Sequence, residues 1–469
     1  MTRWQSRREF LWSGGLGFGA LALGDLLTAP SRASPHRSAP GLAPRPPHHP
    51  GTARNVIFLF MQGGASHLET FDYKPLLQKH DGQLLPESLR DFDLAQINTA
   101  DARVMAPLFP FRKCGESGQE ISSLFPQLRQ HADKLAIIRS MHHDLFIHGS
   151  AMTMMHSGTS LLGHPSIGAW IVYGLGCESE SLPAYIAMTD SMFRNGASMY
   201  SSGFLPAVYQ GTAVRAEGVP IQNLVRHADI TAREQRLLLD QIDSWNRRHL
   251  ESRPGDSQLE ARIANYELAF RMQTAAPELI DLSRETRATR ELYGVDNGPS
   301  ARFGTMCLLA RRMVERGVRY VQLICGDWDA HGDCRGNHAS QAQKIDQPIA
   351  GLMTDLQQRG LLETTLLVWV GEFGRTPIRQ GTDGRDHHPY GFSAWMAGGG
   401  IVGGKTIGAT DDFGFAAVED KVHVNDLHAT MLGLLGIDHE ELTYFFEGRY
   451  RRLTDVGGEN NLAPRLVRG

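Results

Sequence analysis

Three short polar clusters hold the residue types that bind divalent cations. Asp329-Ala330-His331 forms the first, Glu372 in Gly371-Glu372-Phe373-Gly374-Arg375 the second, and Asp386-His387-His388 the third. Carboxylates mixed with neutral imidazoles suit a metal such as zinc or manganese. Arg375 and Arg385 flank these groups, and a planar guanidinium can clamp a phosphate or sulfate through paired hydrogen bonds. Each cluster also has a plain structural reading: Asp329 and Asp386 as turn caps, Trp328 as core, Glu372 with Arg375 as an ion pair.

Segments this far apart meet only if the fold gathers them. Asn55–Met61 is a continuous apolar run that stops at Gln62-Gly63-Gly64. Val318–Cys325 stops just before Asp329 and His331, and Thr365–Val370 just before Glu372. Such runs predict strands buried on both faces of a parallel sheet, with function past their C-terminal ends. Phe392–Ala397 is a fourth strand, stopped by Gly398-Gly399-Gly400 and preceded by the third polar cluster. Helical patterns cover 300–316 and 339–360, and a helix opens at Val424 with Asn425 or Asp426 as N-cap and runs to Leu435. The alternation implies helices on both faces of the sheet. Residues about 221–291 are charged and lack strand signals. Helical spacing in Leu237, Leu238, Ile242 and Trp245, and later in Ile263, Tyr266, Leu268 and Phe270, makes this stretch a helical insertion.

Composition narrows the class. Across 469 residues, 47 Lys+Arg against 51 Asp+Glu leave a net charge of −4, so no basic excess points to nucleic acid. Hydrophobic residues at 41% and charged residues at 21% exclude a wholly disordered chain. The five cysteines include no CxxC pair, which argues against a zinc ribbon or a disulfide scaffold; Cys325 with Cys334 would close a short loop, and free thiols are the alternative. Ser6-Arg7-Arg8-Glu9-Phe10-Leu11 precedes a Gly-rich, weakly apolar stretch to Leu27. This reads as a twin-arginine (Tat) export signal over 1–33, recognised by the Tat translocon. The stretch contains Asp25 and falls short of the ~20 apolar residues of a stable span, and no other segment could cross a bilayer. The expected location is periplasmic or extracellular, with a membrane tether if the signal stays uncleaved. Residues 34–54 read as a flexible linker in which His48-His49 is solvated, and 457–469 as a C-terminal tail. Met141, Met152, Met154 and Met155 read as core packing, and His142-His143 as a solvated turn.

The blocks GGASHLETFD (63–72), WDAHGD (328–333), GEFGRTP (371–377), GRDHHP (384–389) and NDLHATMLGLLGIDHEELTYFFEGRYRRLTDV (425–456) resemble the DUF1501 family. Its members are mostly exported bacterial proteins, common in planctomycetes and often labelled sulfatase-like. The resemblance covers about 55–456 and extends to the alkaline phosphatase superfamily. It implies a doubly wound, mostly parallel α/β sheet sandwiched by helices, with a two-metal site at the strand C-termini for phosphoryl or sulfuryl transfer. It also implies a divalent metal (zinc, manganese or calcium) and a small-molecule or polysaccharide ester as substrate.

Carried over residue by residue, the superfamily's Asp-xxx-His metal motif falls on Asp327 to His331, while Asp329 matches the family block. The Asp-His after the next strand becomes Glu372-Phe373, so a carboxylate survives and an imidazole is lost. The later metal histidine matches His387, beside Asp386 and with His388 as rival. Gln62 stands where the first strand should end in an Asp ligand, and Glu69 or Asp72 could replace it. The nucleophile slot, aligned on Ser157-Gly158, holds His148. That imidazole could attack, bind metal or be a remnant, with Ser150 and then Thr153 as rival nucleophiles. No cysteine has the C-x-P-x-R or C-x-A-x-R context, so no formylglycine is expected. The expected function is an exported metal-dependent hydrolase of phosphate or sulfate esters. The alternative, prompted by Gln62, Phe373 and His148, is a catalytically degenerate envelope or periplasmic binding protein that keeps the fold.

Overall fold

The computed structural model describes residues 42–90, 101–215 and 229–467. The Tat signal and the first part of the linker lie outside the described residues.

Strand β1 (Asn55–Met61) is buried along its whole length. Its side chains alternate, with Val56, Phe58 and Phe60 in one core and Ile57, Leu59 and Met61 in another. A strand that feeds two cores must be covered on both faces, as its unbroken apolar run requires. The other strands of the sheet are β2 (Ala136–His142), β3 (Tyr185–Thr189), β4 (Thr212–Arg215), β5 (Tyr320–Cys325), β6 (Thr365–Val370), β7 (Phe392–Gly398), β8 (Lys405–Ile407) and β9 (Val422–His423). Their order is β8-β2-β7-β6-β1-β5-β3-β4, with β9 also on β2. All pairings are parallel except those of β7, which runs against β2 and β6. Trp395 of β7 pairs in register with Trp369 of β6, and their rings stack 6.4 Å apart; truncating either to Ala costs about 3–5 kcal/mol.

The four expected strands are present, but the reversal of β7 was not expected. It places residues that precede β7 at the edge where β1, β5 and β6 end. Helices α1 (His148–Ser157), α2 (Ile167–Leu175) and α7 (Val424–Leu434) cover one face. Helices α5 (Ala301–Glu315) and α6 (Cys334–Gln358) cover the other. Helix α6 begins at Cys334 because Asp333 accepts from Gly336 N at 2.8 Å. Helix α7 is capped by His423, paired with Asp426 in a capping box, so neither Asn425 nor Asp426 is the N-cap. Helices α3 (Ala232–Glu251) and α4 (Ser257–Ile280) form the insertion.

Both chain ends of the domain are docked. From residue 42 on, the stretch read as linker is pinned by Arg45 N→Leu175 O, His49 N→Gly436 O and Ala53 N→Leu434 O bonds of 2.9–3.1 Å. In the tail, Leu466 is fully buried. All five cysteines are free and buried, so Cys325 and Cys334 form no disulfide. No helix among the described residues is long and apolar enough to cross a membrane.

Candidate metal centre

The three polar clusters converge at the carboxyl edge of the sheet. Asp329 and His331 follow β5, and Glu372 follows β6. His387 reaches the same edge because β7, which it precedes, is antiparallel, and because His387–His388 pairs with Gly374–Arg375 as a two-residue ribbon. His148 opens α1, after β2. The first turn after β1 must be glycine. Gly63 has φ +110°, and a Cβ there would lie 2.6 Å from Asp329 N.

Asp329 is the hub. Its Oδ1 is 3.0 Å from His331 Nε2, 3.2 Å from His387 Nε2 and 2.7 Å from Arg375 Nη2, and its Oδ2 is 3.1 Å from His148 Nε2. His331 Nε2 and His387 Nε2 are 2.9 Å apart. Each ring is held from behind through Nδ1: His148 by Glu372 Oε1 at 2.7 Å, His331 by Gln380 Oε1 at 2.8 Å, and His387 by the Phe146 carbonyl at 2.8 Å. A carboxylate and a carbonyl only accept, so the Nδ1 atoms of His148 and His387 carry protons, and their Nε2 atoms are the ones turned inward, to present a lone pair when a cation displaces any second proton. Glu372 is fixed in turn by Gly63 N, at 2.9 and 3.1 Å from its two oxygens.

These residues fit a divalent metal. His148 Nε2, though close to Asp329, is buried without an aligned hydrogen-bond partner. Two imidazole nitrogens face each other where a cation would reconcile them. The donors fall into two groups of three, His148-Asp329-His387 and His331-Asp386-His387, each with its ligand atoms within 4.8 Å of one another, a span that ligands about 2.1 Å from one ion can occupy. Rings oriented by Nδ1 bonds to oxygen are the usual setting of metal-ligating histidines. The field agrees with this. Burial alone would lower His148, but the flanking Asp329 and Glu372 carboxylates raise it to about 9. Burial opposes the Asp329 charge, yet His148, His387 and Arg375 hold its carboxyl far below the ordinary range. The centre attracts positive charge.

Other sequence candidates fall elsewhere. Asp327 is exposed, in a left-handed conformation (φ 71°), and pairs with Arg194 at 3.0 Å. Asp386, by contrast, stays with the centre: it accepts from His387 N at 2.8 Å, lies 3.6 Å from His331 Nδ1, and forms with His331 and His387 a group of donors within 4.8 Å of one another. Neither expected clamp is open to an anion, since Arg375 and Arg385 are both fully buried. Arg375 bonds Gly63 O, Gly64 O, Arg385 O and Asp329. Arg385 bonds Glu69, Thr376 O, Met105 O and Ala106 O. Glu69 is thereby spent, and Asp72 pairs with Lys74 at 3.2 Å, so neither replaces the missing strand-end ligand. Gln62 instead grips the loop after β3, donating to Met192 O and accepting from Arg194 N at 3.0–3.1 Å. His388 is buried on Phe415 O, and His143 on Glu372 O rather than in a solvated turn. Ser150 Oγ donates to Ile147 O at 3.0 Å, and Thr153 to Gly149 O at 2.7 Å.

Two participants were missed. Gln380 holds His331 from the loop that leads into the third cluster, through an amide that is not itself a metal-type residue. Arg194 reaches Asp327 and, at 3.5 Å, Asp329 Oδ2. Its signal was the short apolar run Tyr185–Met188, which is β3 and delivers the loop to this edge.

Fold and side chains together define an α/β protein with a His-Asp centre at the carboxyl edge of its sheet. The chain belongs to the DUF1501 family (protein of unknown function), whose model matches residues 53–463. No curated protein matches it in sequence. Among solved structures it is similar to the lipoteichoic acid synthase LtaP from Listeria monocytogenes, with 10% identity, 89% of this chain and 78% of that one covered, and a TM-score of 0.36. It is also similar to the PsFucS1 sulfatase from Pseudoalteromonas sp. (12%, 83% and 68%, 0.34) and to a protein in the alkaline phosphatase superfamily from Vibrio parahaemolyticus (9%, 86% and 72%, 0.35).

Proposed function

We propose that this chain is an exported metal-dependent hydrolase of phosphate or sulfate esters. One observation carries the reading: three imidazole Nε2 atoms, each ring anchored through Nδ1, converge on Asp329. His148, Asp329 and His387 would hold an ion, with Glu372 supporting His148 from behind, and His331 with Asp386 would form a second donor group on the shared His387. Two imidazole nitrogens and one carboxylate in each group favour zinc or manganese over calcium, which prefers oxygen ligands. A bound ion supplies Lewis acidity to an ester oxygen. His148 serves as a ligand in this reading, because carboxylates flank both its nitrogens. Arg194, half-exposed at the mouth, takes the anion-holding role first given to Arg375 and Arg385. The first-turn N–H groups of α1 add positive potential, since Ile147 provides no side-chain cap. A cleft of about 450 Å³ opens between Asp329–Asp333 and the start of α6. Export rests on the Arg7-Arg8 signal.

The test is hydrolysis of p-nitrophenyl phosphate, bis-p-nitrophenyl phosphate and p-nitrophenyl sulfate by the full chain supplied with zinc or manganese. Turnover that disappears in His331→Ala is expected; none on any ester would contradict the proposal. A second reading, a binding protein that keeps the fold, is favoured by Gln62, whose amide is used structurally where a second ion's ligand belongs. It predicts metal uptake without turnover.

A further inference from the structure

A second recess lies at the opposite end of the sheet. It is walled by the amino-terminal starts of β3 and β4 on one side and by the α3–α4 hairpin on the other. Its volume is about 810 Å³, within the ~300–1,000 Å³ typical of small-molecule sites. One wall is given by α4. Gln258, Arg262, Asn265 and Ala269 line the recess, and their spacing places them on one helical face. Leu259, Ala261 and Leu268 of the same helix line the recess too; helical spacing sets these apolar residues at its sides and Gln258, Arg262 and Asn265 along its middle. Arg253, from the turn between the two helices, lines it as well. Asp256 lines the recess as well and accepts from Leu259 N at 3.1 Å as the cap of α4; among the described residues no carboxylate ion-pairs with Arg253 or Arg262, and Arg262 bonds the Asn246 amide oxygen at 3.3 Å. Tyr266 stands at the rim, 40% exposed.

We propose that this recess binds a saccharide bearing a sulfate or phosphate group. Two guanidinium groups without a carboxylate partner, facing one recess, suit an oxyanion. The amides of Gln258 and Asn265 and the Tyr266 ring match the hydroxyls and flat face of a sugar, and a bare anion would need neither them nor this volume. The site is separate from the metal centre and does not depend on the hydrolase reading.

The test is isothermal titration calorimetry of the full chain with a sulfated disaccharide, a phosphorylated disaccharide, the uncharged disaccharide and inorganic sulfate. One charged disaccharide should bind, and whichever is tighter identifies the oxyanion. The uncharged sugar and the free anion should each be at least ~10-fold weaker. Arg253→Glu and Arg262→Glu, on exposed positions, should each cost ~10-fold or more with an unchanged thermal melt. Asn265→Trp, which fills the space, should abolish binding. His331→Ala should leave it intact. No binding of either charged disaccharide, binding insensitive to the arginine variants, or binding lost in His331→Ala would overturn the proposal.

Discussion

Two populations of histidine share this molecule. His67, His143, His156, His338, His388 and His428 are 0–1% exposed, and burial pushes them down to about 3 or 4. They are neutral core groups, tied to backbone such as Gly414 O for His67 and Met155 O for His428. His148, His331 and His387 are also bonded to oxygen on one nitrogen, yet their second nitrogen faces Asp329. Burial therefore does not identify a ligand; the surroundings of the second nitrogen do.

The sharpest way to break this comparison is to remove the hub. Asp329→Ala should lower metal affinity more than ~100-fold, beyond the 10–100-fold of an outer-shell change. It should also cost about 3–5 kcal/mol, because buried Arg375 loses its 2.7 Å carboxylate; metal titration and denaturant unfolding read the two effects. Glu372→Gln keeps the shape but weakens the hold on His148, and ~10–100-fold weaker metal binding is expected.

The core population should show itself in acid. Folded pKa values near 3–4, below the ordinary histidine value, mean that the unfolded chain takes up protons first as pH falls. Stability present above pH ~6.5 should therefore be lost towards pH 4, by up to about 3 kcal/mol per buried ring. His428→Gln should flatten this limb of a melting-temperature profile; an unchanged slope would contradict the neutral assignment. Smallest of all, Gln380→Ala removes a neutral acceptor from His331 and should weaken metal less than ~10-fold.

Much of this was legible in the chain. The unbroken apolar runs fixed β1, β5 and β6 as doubly covered strands, and so placed Asp329, His331 and Glu372 at one edge. The direction of β7 was not legible, because pairing direction depends on distant β2 and β6 rather than on the run itself. The burial of Arg375 and Arg385 was hidden for a related reason. A guanidinium looks the same in sequence whether it meets a substrate or the carbonyls of Gly63, Thr376 and Met105. Gln380 carried no signal, because an amide becomes a ring support only when two loops close on each other.

The most direct measurement is elemental analysis of the chain purified without chelator, alongside a His331→Ala/His387→Ala double variant. Bound zinc or manganese is expected in the parent, and none in a double variant that remains folded. Folded parent protein that holds no divalent metal and refuses added zinc and manganese would contradict the proposed metal centre.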